Sequence, residues 1–136
     1  IDLKKSEWRY FISKTKTEHI VPLSKQSVMI LKEIHPVTKS SVFVFPNSRN
    51  HKKPMSENAV LCALRSLGLK KEEMTGHGFR AMARTLLDEV LGFRPDIIEH
   101  QLAHSVKDPL GRAYNRTTFL AERKKMMQDW ADWLYQ

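Results

Sequence analysis

Apolar residues return at three- and four-residue intervals in most of the patterned stretches after residue 23, which commits the chain to a mainly helical fold. Val28, Leu31 and Ile34 form one such face, with Ser24 placed to cap the helix and Pro36 to stop it. Val60, Leu61, Leu64 and Leu67 form a second, with Ser56 as the expected cap and Gly68 as its end. A third follows His77 and Arg80 and carries Met82, Leu86, Leu87 and Val90. Gly92 and Pro95 break the pattern, and a shorter helix is expected over 95–103. Phe119, Arg123, Met126, Trp130 and Trp133 place the last helix over 118–134. Extended structure is expected mainly at the start. Residues 7–12 and 19–22 flank the polar stretch 13–18, and together they predict a β-hairpin with a basic tip. Val42 to Phe45 predicts a short strand or a buried extended segment. The expected class is α+β, mainly α, with a small N-terminal β-hairpin or sheet packed on a helical bundle.

At 136 residues the chain has the length of one domain with one core. Lys and Arg total 23 against 15 Asp and Glu, a net charge of +8 that favours polyanionic partners. The single cysteine, Cys62, excludes an internal disulfide framework, and its apolar helical context predicts a buried, reduced thiol. No apolar run approaches the roughly 20 residues of a membrane span. No basic-plus-apolar leader opens the chain, so a cytoplasmic setting without membrane contact is expected.

Several residues have chemistry to offer, and each alone has an ordinary explanation. Lys14 at a hairpin tip is a solvated cation, His77 a helix-start histidine, and Arg80 a surface charge. His104 closes an apolar stretch, and Tyr114 can simply pack its ring. Their order is more specific. Ser13-Lys14-Thr15 sits in the hairpin, and His77-Gly-Phe-Arg80 opens a helix. Leu102-Ala-His104 follows, and Ala113-Tyr114-Asn-Arg116 comes ten residues after that histidine. With these four motifs in this order, the chain resembles the catalytic domain of the tyrosine recombinases, or phage integrases. The wording of residues 19–24, 75–80 and 113–116, and of the tail 122–133, is most similar to integrases of prophages and genomic islands.

The resemblance implies the recombinase catalytic-domain fold and site-specific recombination, through integration or excision of a prophage or island. It assigns Tyr114 as nucleophile, forming a 3′-phosphotyrosine ester with DNA. Arg80, His77 and His104 would stabilise charge on the phosphoryl oxygens or handle the tyrosine proton. Lys14 would protonate the departing 5′-oxygen, with Lys16 as its rival. Lys16, Arg49, Lys52, Lys53 and Arg116 are candidates for contact with the DNA backbone. Neither cofactor nor metal is expected. Glu99, His100 and His104 lack a further ligand nearby in sequence for zinc.

The family also has an arginine one short element before the hairpin, and nothing in residues 1–8 matches it. The expectation is therefore a fragment (1–136) lacking the N-terminal part and the first active-site arginine. Its expected DNA binding is weak and its cleavage slight or absent. The partners implied are double-stranded attachment-site DNA and, for the parent enzyme, a homotetramer on that DNA in a bacterial nucleoid. The free fragment is expected to be a monomer with its last helix packed in cis. Two other readings fit part of the pattern: a non-catalytic DNA-binding accessory module or degenerate relic, and a type IB topoisomerase-like relaxing enzyme.

Overall fold

The computed structural model describes residues 1–13, 16–104 and 119–136. Among these, two strands and five helices follow in the order β1 (Glu7–Ile12), β2 (Thr17–Pro22), α1 (Lys25–Thr38), α2 (Ala59–Ser66), α3 (Gly76–Glu89), α4 (Pro95–Gln101) and α5 (Leu120–Leu134). The chain divides into two compact units. One comprises residues 1–28 and 84–136, the other residues 29–83.

In the first unit, β1 and β2 form an antiparallel hairpin in register from Glu7↔Pro22 to Ile12↔Thr17. Alternation puts His19 on one face and Ile20 on the other along β2, yet both are buried. The main core is helical. Leu87 of α3, Ile97 and Ile98 of α4 and Met126 of α5 are buried together, and Leu91, Phe93, Leu102, Phe119, Met127 and Trp130 close around them. Trp133 stacks on Trp130 with ring centroids 5.6 Å apart.

The last helix is fastened to its own chain by polar contacts along its length. Lys124 pairs with Glu7 of β1 at 3.4 Å. Gln128 accepts from the backbone N–H of Lys25 at 3.0 Å, and Asp132 accepts from Gln26 at 2.6 Å. At the centre of this contact lies Arg123, fully buried. It donates to the carbonyl of Ile20, to Gln101 Oε1 at 2.8 Å and to His100 Nδ1 at 3.3 Å. His19, also fully buried, donates from Nε2 to the carbonyl of Gln101 at 3.1 Å.

Four local expectations need correction. Ser24 does cap α1, its hydroxyl accepting from the N–H of Ser27 at 3.2 Å, but Pro36 does not stop the helix. Pro36 lies in the last turn, where it removes only one backbone bond and no further turn follows. The second helix begins after Asn58 rather than Ser56, because a turn from Ser56 to Ala59 precedes the first helical bonds. Val42 to Phe45 is a run of bends, not a strand, and Val42 is 93% exposed. Cys62 is exposed as well, since α2 buries Leu64 alone.

Candidate active site

His77 and Arg80 stand within the first five residues of α3, and the local sequence accounts for that start. The hydroxyl and carbonyl of Thr75 both accept from the N–H of Gly78 at 3.0 Å, an N-terminal cap in which the side chain satisfies an otherwise orphan donor. A Cβ at position 78 would meet Met74 Sδ at 2.9 Å, a contact that the flexible end of the methionine side chain can relieve. Three residues apart, His77 and Arg80 share a helix face. His77 is exposed and Arg80 half-buried.

The connection that delivers this helix start is held by Arg65 of α2. Its guanidinium donates to the carbonyls of Leu69 at 2.6 Å, Lys70 at 3.0 Å and Met74 at 3.0 Å. Arg65 carried no signal in the sequence beyond its charge. Its role depends on a loop folding back on its own helix.

Arg49, Lys52 and Lys53 occupy a folded turn in the same unit. Asn47 Oδ1 accepts from the N–H groups of Arg49 at 2.9 Å and Asn50 at 3.2 Å, and Asn50 Oδ1 accepts from that of Lys52 at 3.0 Å. A bridge between Pro46 and Pro54 closes the turn. Several of the turn's backbone groups are bonded within it, and all three cationic side chains are exposed.

His104 belongs to the first unit and lies just beyond the C-terminus of α4. Ala103 adopts the left-handed conformation at φ 54°, its N–H bonding the carbonyl of His100 at 3.1 Å. The N–H of His104 bonds the carbonyl of Glu99 at 3.0 Å, which completes a Schellman termination. The His104 side chain then meets the Glu99 side chain, Nδ1 against Oε2. Arg84 Nε donates to the other carboxylate oxygen at 2.9 Å. Partial burial pushes the Glu99 carboxyl up, but the bonds from His104 and Arg84 outweigh it and hold it below the ordinary glutamate value.

Lys16 is exposed at the hairpin tip with φ 55°. Lys14, Tyr114 and Arg116 lie outside the described residues. The structure thus groups His77 and Arg80 on one helix, groups Arg49, Lys52 and Lys53 in one turn, and places His104 beside Glu99 and Arg84. Among the described residues, no group of three His, Cys, Asp or Glu side chains could hold a metal ion. No helix there is long and apolar enough to cross a membrane.

The family model described as the phage integrase family matches residues 1–120. The integrase of Enterobacteria phage P4 is 42% identical over 135 residues, 98% of this chain and 31% of that protein. A prophage integrase of Escherichia coli (strain K12), IntA, is 40% identical over 97% of this chain and 32% of its own length. Another from the same strain, IntZ, is 43% identical over 89% of this chain and 29% of its own. No solved structure matches. The chain spans about a third of the length of these relatives, and it belongs to the phage integrase family.

Proposed function

We propose that this chain carries the strand-cleaving chemistry of a site-specific DNA recombinase, in the catalytic-domain fold of the tyrosine recombinases. The observation that supports this best is the Thr75-capped start of α3, which displays His77 and Arg80 on one face in a member of the phage integrase family. A phosphodiester is already anionic, and attack adds negative charge to its oxygens. Fixed cationic donors are the main remedy. Arg80 can offer a two-pronged guanidinium to those oxygens, and His77 and His104 add ring N–H donors or accept the phenolic proton.

In the proposed step the Tyr114 oxygen bonds to phosphorus as its proton passes to a base. The bond from phosphorus to the 5′-oxygen breaks, and Lys14 (or its rival Lys16) supplies the proton that oxygen takes up. The phosphotyrosine ester retains the energy of the broken bond for rejoining. Attachment-site DNA in a bacterial cytoplasm is the proposed substrate, and a tetramer on that DNA the proposed assembly.

The test is a nicked suicide substrate that traps a covalent protein–DNA adduct. The integrase carrying this sequence is expected to form the adduct. Tyr114→Phe should form none, and Arg80→Ala should lower the rate by about 100-fold or more, as loss of one transition-state donor does elsewhere. The isolated 136-residue chain is expected to yield little adduct. An adduct that persists in Tyr114→Phe sinks the assignment. DNA binding without any adduct in the intact integrase would favour an accessory module instead.

A further inference from the structure

Family membership does not explain why Glu99 and Arg84 converge behind His104. Glu99 and His104 are joined twice, once through the backbone in the Schellman termination of α4 and once through their side chains. The second link is a consequence of the first. The reversal at Ala103 turns the chain back, so that the residue after it lies over the last turn of the helix it has just left. Arg84, from α3, grips the far oxygen of the same carboxylate at 2.9 Å and also reaches Asp88 at 3.4 Å. Glu99 is therefore fixed on both oxygens, with one side committed to a ring nitrogen.

We infer that Glu99, steadied by Arg84, is a positioning residue that fixes the His104 imidazole with its proton on Nδ1, so that Nε2 is the ring nitrogen offered to the phosphodiester or to the attacking phenol. A carboxylate can only accept, so Nδ1 must donate whichever state the ring is in. Neutral histidine in water prefers to carry its proton on Nε2. Glu99 reverses that preference and leaves the lone pair on Nε2. When the ring takes up a second proton, Nε2 becomes a donor in the same direction. The orientation of the ring is thus set before substrate arrives, as carboxylates bonded to the far nitrogen of other functional histidines do. This inference rests on the reading that His104 serves strand cleavage, and the carboxylate partner is its added content.

The experiment has two arms. Ring nitrogen chemical shifts of His104 are measured in the 136-residue chain at a pH where the ring is neutral. Wild type should show the Nδ1–H tautomer as the major form. Glu99→Ala should return the ring to the Nε2–H form, and Glu99→Gln, which keeps length but not charge, should shift it part of the way. A wild-type ring mainly in the Nε2–H form, or one unchanged by Glu99→Ala, overturns the inference. In the second arm, adduct formation by the integrase carrying this sequence is expected to slow about 10- to 100-fold in Glu99→Ala, with DNA affinity unchanged. An unchanged rate overturns the positioning role. A wild-type integrase that forms no adduct, while His104 still carries its proton on Nδ1, overturns the recombination reading rather than the Glu99–His104 pairing.

Discussion

Arg123 shows how far a residue's role can depart from its neighbourhood in sequence. Spacing places it on the apolar side of the last helix, between Phe119 and Met126, and the structure buries it there completely. Nothing in the sequence indicates that the Ile20 carbonyl, Gln101 and His100 would supply its acceptors, because two come from a helix and one from a strand about 100 residues away. Arg123→Met removes the donor and leaves those three acceptors buried. Each unsatisfied group costs about 1–3 kcal/mol, so a loss of about 3 kcal/mol or more is expected in urea unfolding. Arg123→Lys should rescue little, since one ammonium cannot span the guanidinium's fork. Ala103 makes the opposite case. At φ 54° its Cβ is strained, and a glycine there relieves more strain than the entropy it adds to the unfolded chain. Ala103→Gly should stabilise the chain by roughly 0.5–1 kcal/mol in the same assay and leave the His104 environment intact.

At the scale of elements, the sequence was most legible where one signal decides. The hairpin over 7–12 and 17–22, the cap at Ser24 and the proline opening α4 are all local chemistry. Periodicity was less informative about burial. It marks an apolar face without naming what covers it, and α1 shows such a face with no buried residue. The Val42–Phe45 run failed for a related reason, since a β-rich composition forms a strand only where a partner strand offers its ladder. The attachment of β1 to α5 is an ionic matter that patterning could not show. Glu7 is buried against Arg9 at 2.7 Å and Lys124 at 3.4 Å. The bond from Arg9 is the main reason its carboxyl is held below the ordinary value, against a smaller upward push from burial. A depressed carboxyl contributes stability above its unfolded pKa and loses it as pH falls through the folded pKa. The thermal midpoint should therefore decline as pH drops from roughly 5 towards 3, and Glu7→Gln should flatten that decline while lowering the midpoint at neutral pH.

For the molecule as a whole, a net charge of +8 favours polyanionic partners such as the proposed DNA substrate but does not say where a contact would lie. The structure narrows that choice by showing which cations are already engaged. Lys124 and Lys125 pair with Glu7 and Asp129. Among the described residues, Arg49, Lys52 and Lys53 have no ion pair and sit exposed on a turn held by the side chains of Asn47 and Asn50. Ordering phosphates against such a turn costs little, because no existing pair must first be broken. Binding should then depend on salt through counterion release, with a log–log slope of about 0.9 for each phosphate neutralised. Replacing Arg49, Lys52 and Lys53 together by glutamine should flatten that slope by about two to three units and weaken binding to every sequence alike. Replacing Lys124 and Lys125 in the same way should change it much less. Fluorescence anisotropy on duplex DNA over a range of salt concentrations separates these outcomes. If the two sets of variants give equal slopes, the positive charge acts as a diffuse field and the 47–54 turn is not a contact.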